Sequence, residues 1–395
     1  MSYDLKALSL RDKASVLNAM ADNIISAQEA YESMRESYDY ACVKKNVEDH
    51  YDMGEVTGLK VISGGYTNRS YAVTFDSGKC AFLRQYVPEK EEKEILYEQG
   101  LLLHIRKNGF DISAVPYATK EGSYYFRGPA GGEERFFSLS EFLPGEDKYT
   151  WEYNDVTETA CASAAEATAR LHLAANDFNP PASWGGNEPV IRRQLEYFAS
   201  DMRKYTDIIA QNPDCRSFAD YLYSKLDYLE NVIGRILKIF EYDVRFIKTV
   251  IHTDLHPGNF KYSDEKAVAV FDYDWPKTDV RLYDTAISAM YFSSSWHIGR
   301  NGELNIPVMK TFINTYDSTL GKLNGALPPM NETERYYLPE MMMAGSLYAA
   351  HYCIDKAANE EGTDIFRFFY FVIHQVNCVE WIDSHLEEVR EACRR

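Results

Sequence analysis

Three polar side chains on one stretch of chain have the types and spacing of a phosphoryl-transfer centre. The segment Val250-Ile251-His252-Thr253-Asp254-Leu255-His256-Pro257-Gly258-Asn259-Phe260 leaves an apolar, strand-like run with a histidine, then an aspartate, then an asparagine past a Pro-Gly turn. A second β-branched run, Val268-Ala269-Val270-Phe271, ends in Asp272. Phosphoryl transfer needs one carboxylate to orient a hydroxyl, and an amide with a second carboxylate to hold metal on a triphosphate. On that reading Asp254 accepts a hydrogen bond from an acceptor hydroxyl, while Asn259 and Asp272 offer hard oxygens to Mg2+. A lone aspartate and asparagine at this spacing would equally suit a loop that satisfies its own turn backbone. The preceding histidine, and the strand that ends in Asp272 after a short hairpin, favour the chemistry.

The elements that must position these residues can be read from the flanking sequence. Residues 1 to about 50 carry a helical pattern, with Ser9 and Asp12 as a capping box and Leu10, Ala14, Leu17, Ala21 and Ile24 at helical spacing. From Val56 the texture becomes β. GLKVIS, SYAVTF and CAFLRQY, joined through Gly64-Gly65 and Asp76-Ser77-Gly78, predict an antiparallel meander. A helix ending near Asn108-Gly109 follows, then strands around Ser123–Phe126 and Phe136–Phe142, and Pro144-Gly145 breaks the pattern. Beyond it helices are expected over 155–175, 191–210, 217–240, 283–292, 307–320, 333–357 and 364–391. The expected fold class is α+β: a helical extension (1–50), a β-rich N-lobe (51–143) and a mainly helical C-lobe (144–395).

Composition narrows the partners. A net charge of −18 opposes nucleic acid and anionic membrane surfaces, which both reward Lys and Arg. No apolar run reaches the roughly 18 residues of a membrane span, and no signal peptide is read at the N-terminus. Seven scattered cysteines without a Cys-x-x-Cys pair fit neither a disulfide framework nor a zinc site. The expectation is a soluble, cytoplasmic protein.

The string HTDLHPGN…VFDYD resembles the aminoglycoside phosphotransferase and choline kinase superfamily, whose fold resembles that of protein kinases. AAEATARLHLAANDF (164–178) and RLYDTA (281–286) are similar to two further segments of that superfamily. The layout is similar to type II homoserine kinases and spore-coat kinase relatives. The resemblance covers about 50–300. It implies Asp254 as catalytic base, Asn259 and Asp272 as metal ligands, and His252 and Asp284 as supports of the catalytic loop. Asp274 is left between a role near the metal and an exposed position.

The N-lobe should then clamp the nucleotide. Ser63, Gly64 and Gly65 lie between two strands, where glycines let backbone N–H groups approach phosphates, although Gly-Gly in a hairpin is often only a turn. The strand position usually held by lysine is Arg84, which can bind phosphate bidentately but is not equivalent to lysine. Glu98 on the following helix is its expected carboxylate partner, and the connector with Glu141 and Leu143 would offer backbone groups to adenine. ATP and GTP both remain open.

Only about a dozen residues separate Asp272 from Asp284, too few for a peptide-docking activation segment. The acceptor is therefore expected to be a small molecule: an amino alcohol such as homoserine or choline, a sugar, or an aminoglycoside. Tyr291, Phe292, Trp296, Tyr348, His351, Tyr352 and the Phe366–Phe371 cluster are candidate walls, although aromatic helices more often form core. The competing reading is a nucleotide-binding module with weak or lost catalysis that acts through partners. Arg84 is its only support.

Overall fold

Alternating apolar and polar residues between Val56 and Gln85 fold into the meander that their turns demand. In β2 (Arg69–Phe75) the buried side chains are Tyr71, Val73 and Phe75, and in β3 (Cys80–Gln85) they are Ala81 and Leu83. The register sets Tyr71 opposite Leu83 and Val73 opposite Ala81, so one sheet face is continuously apolar. Gly78 closes the connecting turn at φ 79°, its N–H donating to the Phe75 carbonyl at 2.9 Å. β1 (Val56–Ile62) pairs with β2, and a hairpin of β4 (Phe126–Ala130) and β5 (Glu133–Glu141) joins through β5 to β3. The five-stranded order is β1-β2-β3-β5-β4.

The structure is a computed structural model that describes residues 40–62, 68–152, 154–185, 188–241, 246–359 and 365–394. The chain divides into two units, residues 1–90 with 116–142, and residues 91–115 with 143–395. The sheet belongs to the first. A helix over residues 40–50 (α1) covers its apolar face with Val43 and Val47, and the following Tyr51 joins them. Asn46 donates to the Pro129 carbonyl at 3.0 Å. The rest of the expected N-terminal extension, Ser9 and Asp12 included, lies outside the described residues.

The fourth strand departs from the sequence reading. It runs over Phe126–Ala130 rather than Ser123–Phe126, because the hairpin turns at Gly131 and Gly132, both with positive φ (63° and 89°). Gly128 and Pro129 disguise it as a loop. Proline is tolerated because this is an edge strand, where no further neighbour needs its N–H.

The second unit holds helices α2 (Glu92–Lys107), α3 (Glu158–Ala175), α4 (Ile191–Ile209), α5 (Arg216–Ile239), α6 (Arg281–Ser293), α7 (Ile306–Leu323), α8 (Glu332–Tyr336), α9 (Leu338–Asn359), α10 (Ile365–Ser384) and α11 (Leu386–Cys393). Two small antiparallel pairs interrupt them. β6 (Lys248–Ile251) pairs with β9 (Lys277–Val280), and β7 (Phe260–Ser263) with β8 (Lys266–Val270). β9 is absent from the sequence reading, since its four residues KTDV are short and carry two charges. α6 is buried along its whole length, from Arg281 to Ser293, and forms the centre of this unit's core. No described helix is long and apolar enough to cross a membrane.

Candidate active site

The chain leaves β6, whose Thr249, Val250 and Ile251 are buried, and turns through His252-Thr253-Asp254. Thr253 takes φ 76°, a conformation that a β-branched residue adopts only when its surroundings impose it. The imposing group is Asp284 on α6. Its Oδ2 accepts the His252 N–H at 2.9 Å and its Oδ1 the Thr253 N–H at 2.8 Å. The Thr253 hydroxyl donates to the Trp275 carbonyl at 3.1 Å, anchoring the turn from its other side.

Asp284 is itself held from α3. His172 Nε2 donates to Oδ2 at 2.9 Å, and His172 Nδ1 accepts from the Tyr316 hydroxyl at 2.8 Å, with all three side chains fully buried. Burial alone would raise the Asp284 pKa, but the His172 hydrogen bond, the nearby imidazoles and the backbone donors outweigh it and lower the pKa below the usual carboxylate value. A buried carboxylate that stays ionised is thus the peg of the catalytic turn.

His252 ties the two arms of the site together. Its Nε2 donates to the Phe271 carbonyl at 3.0 Å, which leaves Nδ1 to accept the Asp254 N–H at 3.4 Å. The residue after Phe271 is Asp272, at φ 70°. The second run therefore does not end in Asp272 as a strand residue. β8 stops at Val270, and Asp272 turns out of the strand path in a left-handed conformation. Ser113, in the segment after α2, braces this exit with hydrogen bonds to the Val270 carbonyl (3.2 Å) and the Tyr273 hydroxyl (2.5 Å).

Asn259 ends a one-turn helix, Pro257–Asn259, and is buried. Its Nδ2 donates to the Asp254 carbonyl at 2.7 Å and approaches Asp254 Oδ2 at 3.3 Å. With the amide nitrogen so committed, Oδ1 is the atom left for a cation. The Asp254 side chain keeps 38 % of its surface exposed, enough for contact with a ligand. Asp272 and Asp274 are both half-buried.

His256 escaped the sequence reading. Its Nδ1 accepts the Gly258 N–H at 3.0 Å, so its proton sits on Nε2, 3.8 Å from Asp254 Oδ2. Burial lowers its pKa against the pull of Asp254 and Asp272. A Cβ on Gly258 would stand 2.9 Å from this ring, which explains the glycine. The signal was the second histidine of the motif, to which the sequence reading gave no role.

The other expected residues are placed as follows. Ser63, Gly64 and Gly65 lie outside the described residues. Arg84 lies in β3 opposite Ser138, and Glu141 ends β5 opposite Ala81, all in the first unit. Glu98 is buried in α2, and α2 and Leu143 belong to the second unit. Of the aromatic walls, Tyr291, Trp296 and Phe371 gather around Trp151, at ring separations of 6.0, 5.7 and 4.6 Å, and Trp151 lies 6.1 Å from His256. Phe292 instead packs on Phe260 and Phe312 in the core. His351 stacks on Phe198 and Tyr205 of α4, and Phe366 is exposed. Tyr352 lies near Phe368 at 6.5 Å.

Hard oxygen donors suit Mg2+, which binds through one or two carboxylates together with ligand phosphates. Among the described residues no group of three His, Cys, Asp or Glu side chains gathers to hold a metal alone.

A five-stranded sheet in one unit and a mainly helical second unit that holds the pegged His-Thr-Asp turn define a protein-kinase-like α+β fold. The chain belongs to the phosphotransferase enzyme family, whose model matches residues 58–306. A homoserine kinase of Bradyrhizobium sp. (strain ORS 278) is 24 % identical over 294 residues, 73 % of this chain and 77 % of that protein. A microcompartment-associated aminopropanol kinase superposes with a TM-score of 0.63 at 14 % identity, covering 88 % of this chain and 98 % of the other. A spectinomycin phosphotransferase in complex with ADP and spectinomycin gives a TM-score of 0.57 at 12 % identity, covering 89 % and 97 %. The protein is a phosphotransferase acting on small-molecule hydroxyls.

Proposed function

We propose that the enzyme moves the γ-phosphoryl group of ATP, bound with Mg2+, to the hydroxyl of an amino alcohol such as homoserine. The observation that carries this reading is the loop itself. Asp254 and Asn259 are locked to one another at 2.7 Å, and His252 couples them to the backbone that presents Asp272. Asp254 accepts the hydrogen bond of the acceptor hydroxyl, orients its oxygen in line with the phosphorus and receives the proton as the bond to phosphorus forms. Asn259 Oδ1 and the Asp272 carboxylate are the oxygens that would hold Mg2+, which neutralises charge on the phosphates when bound. His252 and Asp284 keep the loop rigid, so little ordering remains when substrates arrive.

Arg84 is the expected phosphate contact, with Ser63, Gly64 and Gly65 as the clamp. Glu141 and Leu143 would meet the adenine. Asp274 would stand behind Asp272. ADP in one solved relative supports ATP as donor, and the homoserine and aminopropanol kinases support an amino alcohol as acceptor. None of the seven cysteines is in a disulfide, which suits a reducing cytoplasm.

The test is ADP formation by the purified full-length protein with Mg·ATP against amino alcohols, sugars and aminoglycosides, with melting curves reporting nucleotide binding. Acceptor-dependent ADP from the amino alcohols is expected. ATP binding with no acceptor phosphorylated would discard the reading.

A further inference from the structure

One buried charged cluster beside the catalytic turn is left unused by this mechanism. Lys277, first residue of β9, pairs across the ladder with Ile251, three residues before Asp254. Its ammonium is buried, donates to the Pro189 carbonyl at 2.7 Å, and lies 3.9 Å from both Glu188 and Asp279. Asp279 is otherwise satisfied by the N–H groups of Ile191 (2.7 Å) and Val280 (2.8 Å). Glu188 is bonded by the Gln194 amide and by the Tyr348 hydroxyl. Two carboxylates thus face one lysine, and buried charge of this kind is costly unless paired. Burial raises the pKa of both carboxyls against the pull of Lys277, and lowers that of Lys277 against theirs.

A second observation points to a ligand. Gln194 is 5 % exposed and its Oε1, on the same amide that bonds Glu188, has no hydrogen-bond partner. The hydroxyl of fully buried Tyr283, whose ring lies 5.6 Å from the Lys277 ammonium, has none either. The cluster reaches the turn through β9, where Lys277 stands opposite Ile251 at the end of β6.

We propose that Glu188, with Gln194 Oε1, is the acceptor's ammonium subsite and that it selects a primary ammonium over a quaternary one. This rests on the reading of Asp254 as the group that orients the acceptor hydroxyl. A primary ammonium brings N–H donors to the carboxylate and to the unpartnered carbonyl. A trimethylammonium group has none, so it would leave Gln194 Oε1 buried without a partner and bring no hydrogen bond to Glu188. Lys277 acts as a positioning residue, its charge offsetting part of the cost of burying the Glu188 carboxylate.

The experiment compares kcat/KM of the full-length protein for ethanolamine, 3-amino-1-propanol and L-homoserine with their N-trimethyl counterparts and with 4-hydroxybutyrate. At least one primary amine should be preferred over its trimethyl counterpart by about 10- to 100-fold. Glu188→Gln should collapse that ratio to within a few-fold, whereas a purely structural glutamate would lower both rates and leave the ratio standing. Equal use of trimethyl or amine-free acceptors by the wild type overturns the proposal, as does a ratio unchanged in Glu188→Gln. If that variant fails to melt cooperatively, the wild-type series alone decides. Phosphorylation of sugars only would sink the ammonium subsite and leave the phosphotransferase reading intact. Undiminished turnover in Asp254→Asn would sink the base assignment instead.

Discussion

Thr253, which precedes Asp254, and Asp272, itself a proposed metal ligand, are two non-glycine residues held at positive φ. Such conformations cost on the order of 1–3 kcal/mol each and persist only where neighbours over-determine them. Here Asp284, Trp275 and His252 do so, and the strain aims a carboxylate that an ordinary strand end would direct elsewhere. Asp254→Asn keeps the shape and the Asn259 contact but removes the proton acceptor. It should lower kcat by about 10²- to 10⁴-fold with nucleotide binding retained, measured by single-turnover phosphoryl transfer and by titration with Mg·ATP. Asp272→Ala should act on binding: nucleotide affinity should lose its dependence on Mg2+ in titrations with and without the ion. The types of these residues were legible in the sequence because phosphoryl transfer accepts few substitutes. Their backbone strain was not, since nothing in Phe-Asp-Tyr-Asp announces a left-handed turn.

At the scale of elements, the site depends on one polar chain through the core: Tyr316 on α7, His172 on α3, Asp284 on α6 and the backbone after β6. Asp284→Ala would leave two backbone N–H groups and an imidazole buried without their acceptor. It should destabilise the protein by about 3–5 kcal/mol, seen as a lower urea midpoint, and unlock the catalytic turn as well. The folded Asp284 titrates below its unfolded value. Its contribution is therefore complete above about pH 4 and is lost as pH falls through the folded pKa. The helices were legible from their apolar spacing, and the meander from its alternation and turns. β9 and the true limits of β4 were not. Their sequences, KTDV and FRGPA, carry charge, glycine and proline where a strand signal would stand, and only pairing partners distant in sequence make them strands. The Glu188–Lys277 pair was hidden for the same reason: its members are 89 positions apart in sequence and are joined only when β9 forms.

The whole molecule should lose stability on mild acidification, and the cause is neutral histidine. His374 on α10 is fully buried, stacked on Trp296 at 3.4 Å, with Nδ1 donating to Asn301 Oδ1 at 2.8 Å. Burial pushes its pKa down to about 3, and it lowers those of His256 and His351 in the same direction. Unfolding releases these rings to water, where they take up protons below about pH 6.5. Stability is therefore complete above that value and falls as pH drops towards the folded pKa. Each ring adds about 1.4 kcal/mol per pH unit to the slope. The net charge of −18 works the other way, because protonating carboxylates relieves self-repulsion, but most of that relief comes near the carboxylate range at about pH 4–5, with the buried Glu188, Asp279 and Glu340, whose pKa values are raised, taking up protons first. Between pH 6.5 and 5 the histidines decide the sign. His374→Asn keeps a donor for Asn301 and removes the titrating ring. It should start less stable at pH 7 through lost packing on Trp296, yet show a shallower decline between pH 6.5 and 5, by about 1.4 kcal/mol per pH unit. Urea unfolding at a series of pH values measures that slope directly, and a variant slope equal to the wild type's would mean that His374 is already protonated in the folded protein.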